Sequence, residues 1–416
     1  MRTGGARQSL HIDASRLMQR IFALAEVGAI DGGGCNRLAL TDADRDGRDV
    51  VVGWMRDLGL DVSIDSVGNV IGTWQVGSGG AVMTGSHIDT VRTGGKYDGN
   101  YGVIAGLEVI ETCQRAGVVP KRPLQVAFFT DEEGARFAPD MLGSLVYAGG
   151  MTVEEAHDVV GIDSARLGDE LERIGYLGSV PCPGVAPHAF VELHVEQGPL
   201  LEVNGVRIGA VTGVQGISWQ EVVIDGQSNH AGTTPMHLRR DPAYAAAELT
   251  VFVRALAKRY GANQVCTVGK IDLHPNLTNV VPSRAKLTLD VRNTDEALLQ
   301  RAEAEIADFC RELAEREQVG IARRSLARFE PVVFDDRVVD MVEAAARARG
   351  HSVQRMPSGA GHDAQMIARM APTAMIFVPS HKGLSHNVAE HTDEADLVAG
   401  TNVLLDVMLE LTETSF

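Results

Sequence analysis

The chain has 416 residues, a length that exceeds one ordinary hydrophobic core and predicts two domains. Its composition, 44% hydrophobic and 22% charged, is typical of a globular protein in water, and no apolar run approaches the roughly 20 residues of a membrane helix. The formal charge of −17 argues against nucleic-acid binding, because such a surface repels phosphate backbones, and an anionic substrate would need a local positive site.

The first half of the chain alternates helical and strand-like segments. Apolar spacing predicts a helix over residues 15–29, and a polar, glycine-rich loop then leads to a second helix near Val50–Leu58. Another helix is predicted over residues 101–117. Short apolar runs predict buried strands at residues 81–85, 125–130 and 373–379, and residues 190–198 alternate like a strand. This alternation predicts an α/β fold with a mostly parallel sheet.

The middle of the chain has a different pattern. Residues 217–227 and 286–293 alternate apolar and polar side chains, as half-exposed antiparallel strands do. Helical spacing follows them at 242–260 and 295–315. We therefore predict a smaller α+β domain at 215–331, inserted between the two parts of the α/β domain. Those two parts would be residues 1–214 and 332–416.

Acidic side chains and a histidine follow two of the predicted strands. His87 ends one strand and Asp89 comes two residues later, so the Asp89 carboxylate could accept the second ring N–H of His87. Asp98 lies in a glycine-rich loop farther along. Glu132 and Glu133 follow the next strand and would repel each other unless a cation neutralises them. One glutamate could then bind metal while the other moves a proton.

Two more histidines complete a candidate metal centre. His194 lies on a predicted strand, and His386 lies in a loop after one, where α/β proteins place active-site groups. Any one of these segments alone would more often be structural, but four of them deliver such residues at the ends of core strands. The candidate ligands are His87, Asp98, Glu133, His194 and His386. Three imidazoles and two carboxylates suit two divalent ions, with zinc first and manganese, cobalt or nickel as alternatives.

The segments that carry these residues resemble the amidase/hydantoinase/carbamoylase family, a branch of the di-zinc aminopeptidase-like metallohydrolases. The matching stretches, in the family order, are GSHIDTVRTGGKYDG, DEEGARF, ELHVEQGPLLE, SNHAGTTPMHLRRDP, NLTNVVPS, LDVRN, SGAGHDAQ and GLSHNVAEHT. The resemblance implies an aminopeptidase-like catalytic domain. It also implies that the inserted domain serves as a lid and in dimerisation.

The resemblance also implies which metal site each candidate ligand belongs to. Asp98 would bridge both ions. His87 and His194 would complete one metal site. Glu133 and His386 would complete the other.

The resemblance also implies a catalytic set. Glu132 would be the general base, taking a proton from the attacking water and passing it to the leaving nitrogen. His230 would reach the scissile carbonyl from the partner subunit of a homodimer. Asp89 joins this set as the residue that orients His87.

Substrate contacts are implied as well. Arg292 would hold a substrate carboxylate, and Asn279 would hydrogen-bond to it. Without the resemblance, Arg292 would be interpreted as an exposed strand residue and His230 as a turn histidine. The remaining predicted contacts are Gln197, Gln215, and the backbone of Gly359 and Ala360.

Four nearby residues are predicted to be non-ligands. His362 and Asp363 have suitable side chains, but all five ligand positions are filled, so a structural or supporting role is expected. His381 and His391 flank His386 and do not align with the ligand position of the motif.

The predicted activity is hydrolysis of a carbon–nitrogen bond in a linear carbamoyl or ureido amide. The substrate would be a small carboxylate such as an N-carbamoyl-L-amino acid, allantoate or β-ureidopropionate. Two alternatives stay open: a dipeptidase or N-acyl-amino-acid deacylase of the same superfamily, and a binding or scaffold protein that has lost catalysis. Five scattered cysteines, an odd number without a CxxC pair, favour reduced thiols in the cytoplasm. No nucleic-acid or membrane partner is expected.

Overall fold

The computed structural model describes residues 10–261 and 263–416. The chain divides into two compact units. The larger unit comprises Met1–Gly213 and Val333–Phe416, and the smaller unit is Val214–Val332. The boundaries drawn from the sequence lie one residue from each of these limits.

The described residues form seventeen strands and twelve α-helices. The strands are β1 (Ala29–Ile30), β2 (Gly34–Cys35), β3 (Asp61–Ile64), β4 (Val70–Trp74), β5 (Val82–His87), β6 (Leu124–Phe129), β7 (Ala189–Val195), β8 (Ile208–Val214), β9 (Gly216–Asp225), β10 (Asn229–His230), β11 (Val265–His274), β12 (Val280–Val281), β13 (Arg284–Asn293), β14 (Gly320–Phe329), β15 (Val332–Val333), β16 (Val353–Ser358) and β17 (Thr373–Val378). The helices are α1 (Ala14–Ala25), α2 (Asp42–Asp57), α3 (Asn100–Ala116), α4 (Leu142–Tyr147), α5 (Val153–His157), α6 (Leu167–Ile174), α7 (Leu200–Asn204), α8 (Pro242–Tyr260), α9 (Glu296–Glu317), α10 (Asp336–Ala348), α11 (Asp363–Ile367) and α12 (Glu394–Leu411).

The larger unit is built on a nine-stranded mixed sheet. Its order is β15-β8-β17-β7-β5-β6-β4-β3, with β16 beside β8. The four central strands, β17, β7, β5 and β6, pair in parallel, whereas β8 pairs antiparallel with β17, β4 with β6, and β3 with β4. The predicted α/β fold is confirmed. The sheet is mixed, with its parallel strands at the centre.

The central strands bring their carboxyl ends to one edge. Every residue of β5, β7 and β17 is buried, as expected for strands covered on both faces. His87, the last residue of β5, lies opposite Phe129, the last residue of β6. His194 in β7 lies opposite Phe377 in β17. Segments that follow these strands therefore meet at the same edge of the sheet.

The region between the first two helices differs from the prediction. Residues 29–35 form a small hairpin, and α2 begins at Asp42, eight residues before the predicted start. The earlier start has a local cause. Thr41 caps the helix by accepting the Asp44 N–H at 3.3 Å, and the buried Asp44 carboxylate pairs with Arg48 one turn later at 2.8 Å.

The smaller unit is an α+β unit with its own core. Its four-stranded antiparallel sheet has the order β11-β13-β9-β14, and α8 and α9 pack against it. The core includes Val222, Leu249, Leu287 and Ile306. A separate pair, β10 with β12, places His230 opposite Val280.

In the part of the chain that the structure describes, no helix is both long enough and apolar enough to cross a bilayer.

Candidate metal centre

Two buried histidines and one aspartate form the first ligand group. His87, Asp98 and His194 each place a ligand atom within 4.8 Å of the others. The Asp98 Oδ1 atom lies 3.3 Å from His194 Nε2 and 3.6 Å from His87 Nε2. All three side chains are buried. This geometry leaves room for one cation between the three atoms.

The second ligand group shares Asp98. Asp98, Glu133 and His386 also place ligand atoms within 4.8 Å of one another. His386 Nε2 lies 3.1 Å from Glu133 Oε2 and 3.6 Å from Asp98 Oδ2. One carboxylate thus faces the first group with Oδ1 and the second with Oδ2. The His386 side chain is half exposed, so the second group lies at the solvent side of the centre.

Backbone carbonyls fix the tautomers of the two buried imidazoles. His87 Nδ1 lies 2.9 Å from the Asp89 carbonyl oxygen, and His194 Nδ1 lies 2.8 Å from that of Val195. Each Nδ1 must carry the proton to donate it, so in the neutral ring, the form that binds a metal, the lone pair lies on Nε2 and faces Asp98. The Gly99 N–H donates to His194 Nε2 at 3.1 Å, in agreement with this assignment. Protein histidines that bind metals are commonly oriented in this way.

The predicted role of Asp89 needs a correction. Its carboxylate lies 3.9 Å from His87 Nδ1, so the acceptor for His87 is the backbone carbonyl of Asp89. The carboxylate instead accepts the backbone N–H groups of Glu132 at 3.2 Å and Glu133 at 3.3 Å. The alternation of side chains along a strand predicted that Asp89 lies on the same face as His87. It could not reveal that the chain turns at Asp89 and directs its backbone carbonyl at the His87 ring. Asp89 therefore supports three residues of the centre at once.

The charge of the site fits divalent cations. Burial raises the pKa of the Glu132 carboxyl well above its ordinary value, and burial raises that of Asp89 to about 6. Burial opposes a charged His87, yet Glu132 and Asp98 raise the pKa of its imidazole well above the usual range. Glu133 Oε1 is buried and has no hydrogen-bond partner among residues 10–261 and 263–416. This excess of buried carboxylate oxygens and imidazole lone pairs is the donor set that zinc and similar ions use.

Glu132 lies beside the ligands without joining either group. Its Oε2 atom is 3.4 Å from His87 Nε2, and the residue is 7% exposed. The neighbouring Glu133 belongs to the second group. The two adjacent glutamates therefore occupy different positions, as the division between a ligand and a proton carrier requires.

A buried glutamate that the sequence analysis missed supports Asp98. Glu390 Oε1 accepts the backbone N–H of Tyr97 at 3.0 Å and that of Asp98 at 3.1 Å. Burial raises the pKa of Glu390 to about 8. A Cβ atom on Gly95 would lie 2.3 Å from this carboxylate, so only glycine fits there. The acid four residues after His386 was the available signal, but sequence alone gives no reason to join it to the loop of Asp98.

Gly99 provides a test of how tightly the first group is packed. It has φ +66°, and an added Cβ would lie 2.4 Å from the His87 ring. Gly117 at the other end of α3 has φ +67° and open space around its Cβ position, so it is a matched control. We expect Gly99→Ala to lower metal content sharply, because the ring must move. Gly117→Ala should carry only backbone strain of about 1–2 kcal/mol. Elemental analysis of both folded variants checks this, and equal metal content would contradict the packing argument.

The SGAGHDA segment lies against the centre without supplying any of the five predicted ligands. The His362 ring packs edge-on against His194 at 4.6 Å between centroids, and its Nε2 atom lies 2.9 Å from Ser358 Oγ. A third group of possible ligands, Glu192 with His194 and His362, arises from this packing. Glu192 already accepts Ser86 Oγ–H at 2.6 Å and the backbone N–H of residue 364 at 2.8 Å. These contacts indicate that Glu192 supports the position of His194.

Two of the predicted substrate contacts, Gly359 and Ala360, lie in this segment, and a third, Gln197, lies elsewhere in the same unit. The Ala360 N–H donates to Ser358 Oγ at 3.1 Å, and Gly359 also has an interaction partner. Gln197 donates its side-chain amide to Asp98 Oδ2 at 2.9 Å. Of these predicted substrate contacts, Gln197 thus lies directly against the metal centre.

The remaining predicted site residues belong to the smaller unit. His230 Nδ1 accepts the N–H groups of Gly232 at 3.0 Å and Thr233 at 3.2 Å, so its proton lies on Nε2. Asn279 lies beside it, because its carbonyl accepts the N–H of residue 231 at 2.9 Å. On β13, Arg292 forms a two-point ion pair with Asp290. Gln215 is buried between β8 and β9.

Comparison with known proteins identifies the family of the chain. The model of peptidase family M20/M25/M40 matches residues 83–410. An N-carbamoyl-L-amino-acid amidohydrolase of Rhizobium meliloti is 39% identical over 98% of both chains. An allantoate amidohydrolase of Bacillus subtilis is 34% identical over 93% of this chain and 95% of that one. An amidase of the hydantoinase/carbamoylase family from Burkholderia multivorans, known from a crystal structure, matches with a TM-score of 0.96 and 41% identity over 98% of this chain and 100% of that chain. The chain therefore belongs to peptidase family M20/M25/M40, among its hydantoinase/carbamoylase amidases.

Proposed function

We propose that the protein is a metal-dependent amidohydrolase that cleaves a linear carbamoyl or ureido amide in a small substrate carrying a carboxylate. The observation that carries the proposal is the shared position of Asp98. It belongs to two groups of three ligand atoms, each within 4.8 Å, and each suited to one ion. The family is metal-dependent, and its members among the relatives act on carbon–nitrogen bonds outside peptides.

Two ions would occupy the two groups, with zinc first and manganese, cobalt or nickel as alternatives. When bound, they would lower the pKa of a water molecule and polarise the scissile carbonyl. His87 and His194 hold the buried side, and their carbonyl-bound Nδ1 atoms keep both rings in place. Glu133 and His386 hold the solvent side.

Glu132 would be the proton carrier. It lies next to the ligands and is not committed to either group, so it can take a proton from the attacking water and deliver it to the leaving nitrogen. Asp89 fixes the backbone of Glu132 through the N–H group at 3.2 Å. The catalytic carboxylate is thereby held at the ligand edge.

His230 would act on the carbonyl of the substrate. Because Nδ1 accepts two backbone N–H groups, the ring presents Nε2–H as a hydrogen-bond donor in its neutral form. A donor of this kind stabilises the negative charge that develops on a carbonyl oxygen during attack. His230 is exposed in its own chain and is free to meet a neighbouring subunit.

The substrate class follows from the relatives and from the predicted contacts. N-carbamoyl-L-amino acids and allantoate, the substrates in the names of two relatives, both combine a ureido group with a carboxylate. Arg292 would bind that carboxylate with its planar guanidinium, and Asn279 would add a hydrogen bond. Gln215 and the backbone of residues 359–360 would add further substrate contacts. β-Ureidopropionate has the same two groups and belongs in the same class.

We propose a homodimer formed through the smaller unit. Its β11 is a ten-residue edge strand that, among the described residues, pairs with β13 alone. Ile271 on this strand and Val251 on the adjoining α8 are exposed apolar side chains. The unpaired backbone N–H and C=O groups of such an edge can pair with another chain. Pairing about a twofold axis would cover both edges at once.

A reducing compartment is proposed for the enzyme. All five cysteines are free, and three of them are buried. Free thiols of this kind suit the cytoplasm.

Metal removal tests the centre. Stripping the enzyme with a chelator is expected to abolish activity, and titration with zinc, manganese or cobalt should restore it at close to two ions per chain. The measurement is elemental analysis together with turnover at each step. Full activity in a metal-free sample would contradict the proposal.

A substrate screen tests the activity. We expect turnover of an N-carbamoyl-L-amino acid, allantoate or β-ureidopropionate with release of ammonia, and much slower cleavage of a dipeptide or an N-acetyl amino acid. A preference for the last two would identify a peptidase or deacylase instead. Binding without turnover of any amide, with both ions present, would identify a binding protein.

A further inference from the structure

We infer that Ser385 and Gln197 act as a pair of positioning residues that set the plane of the Asp98 carboxylate and thereby the strength of the metal centre. The inference rests on the proposed function only in taking Asp98 as a ligand shared by two ions. Ser385 carries no role in the sequence analysis. Gln197 was expected there to contact substrate.

Both donors meet the same oxygen of Asp98. Gln197 Nε2 lies 2.9 Å from Asp98 Oδ2, and Ser385 Oγ lies 3.1 Å from it. Gln197 Nε2 also donates to Ser385 Oγ at 3.2 Å, which closes a triangle of polar atoms. Oδ1, in contrast, faces the imidazoles of the first ligand group. The pair therefore acts on one side of the carboxylate.

A shared carboxylate needs help to hold its plane. The terminal torsion of an aspartate is broad and roughly twofold, so the side chain alone does not decide which way its oxygens point. If two ions share the Asp98 carboxylate, one of its oxygens must face each ligand group. Two donors converging on Oδ2 define the plane, and Glu390 holds the backbone of the same residue. Rotation of the carboxylate would break both hydrogen bonds together.

The orientation of the Gln197 amide follows from its neighbours. If its oxygen and nitrogen were exchanged, an amide oxygen would face a carboxylate oxygen at 2.9 Å, which is repulsive. Its two N–H bonds are instead directed to Asp98 and Ser385. The amide group is thus committed to the metal centre through its nitrogen.

The backbone is shaped to bring the pair together. Asp98, Gln197 and Ser385 lie in loops after β5, β7 and β17, which are neighbouring parallel strands. Gln197 has φ +58°, and its N–H donates to Ser380 Oγ at 3.0 Å. His386, next to Ser385, has φ +54°. Non-glycine residues keep such conformations only where the surroundings impose them, and they cluster at functional sites.

Ser385→Ala is the main test, because this residue touches neither predicted base nor substrate. We expect its metal affinity, measured by competition with a chelator, to fall about tenfold, the usual lower cost of losing a hydrogen bond to a metal ligand. The absorption spectrum of the cobalt-loaded variant should shift, since it reports ligand geometry. Ser385→Thr keeps the hydroxyl and should restore both readouts.

Gln197→Met is the second variant, and it keeps the length of the side chain while removing both N–H donors without adding charge. Its metal affinity should fall at least as far as that of Ser385→Ala. Gln114→Met is the matched control, because Gln114 in the same unit donates its amide to the carbonyl of Leu58 at 2.9 Å, away from the centre. It should bind metal as the wild type does. When the Ser385 and Gln197 substitutions are combined, the loss in free energy of metal binding should be smaller than the sum of the two single losses, because both side chains act on one oxygen of Asp98.

The outcomes separate this inference from the proposed function. Wild-type protein that binds no metal would overturn the function itself. Wild-type binding of two ions, with unchanged affinity and cobalt spectrum in both Ser385→Ala and Gln197→Met, would overturn only the positioning pair. If Ser385→Ala lost stability without metal, as thermal unfolding of the stripped proteins would reveal, the comparison of Gln197→Met with Gln114→Met would decide.

Discussion

Replacing Glu132 with glutamine is expected to lower kcat by at least about 10²-fold while both ions stay bound. Glutamine keeps the size of the side chain but cannot take a proton from water. The site should otherwise be preserved, because Asp89 holds this residue by its backbone N–H and not by its side chain. Steady-state kinetics and elemental analysis of the same sample measure both halves of the result.

The neighbouring glutamate supplies the matched control. Glu133 belongs to the second ligand group, at 3.1 Å from His386 Nε2. Glu133→Gln should therefore lose metal from the solvent side, and excess metal should restore part of its activity. Glu132→Gln should gain nothing from excess metal. If Glu132→Gln retains wild-type turnover, the base lies elsewhere; if it loses metal as Glu133→Gln does, the division of roles between the two glutamates is wrong.

The fold could be predicted where local signals and packing agree. Helix α8 was predicted over 242–260 and occupies those residues, because Asp241 caps it and Pro242 is tolerated in the first turn. The buried strands were recognised from continuous apolar runs. The edge strand β11 was not, since most of its residues are exposed and its apolar side chains do not alternate regularly. Pairing direction was predicted for the central strands and for the strands of the smaller unit, but not for the antiparallel outer strands of the large sheet, because it depends there on how distant segments connect.

The site could be predicted to the level of residue type and strand end. Parallel strands deliver their carboxyl ends to one edge, so His87 and His194 had to lie near each other once both strands were assigned. The supports around them could not be foreseen. Whether Asp89 offers its side chain or its carbonyl depends on one turn of the backbone. That Gln197 would lie against Asp98 depends on a left-handed residue that no pattern marks.

Mixing two inactive variants is expected to restore activity if His230 serves the partner subunit. His230→Ala and Glu132→Gln should each be nearly inactive as homodimers. In a mixed dimer, one site carries both lesions and the other carries neither. Random exchange makes half of the dimers mixed, and half of their sites intact, so activity should return to about a quarter of wild type. The turnover of the mixture after subunit exchange, set against each variant alone, gives the result.

The outcome depends on geometry and not on the size of either lesion. If His230 acts within its own chain, every site keeps one lesion and mixing restores nothing. Because a lack of rescue is informative only when subunits have exchanged, subunit exchange must be shown independently, for example by mass spectrometry of differently labelled subunits. A third variant, Ile271→Asp, tests whether the rescue depends on the proposed interface. It places a charge on the exposed edge strand β11 and should abolish complementation by preventing the two subunits from pairing. Rescue that persists in monomeric Ile271→Asp protein would contradict a shared site, whereas rescue that disappears together with the dimer would place His230 across the subunit boundary.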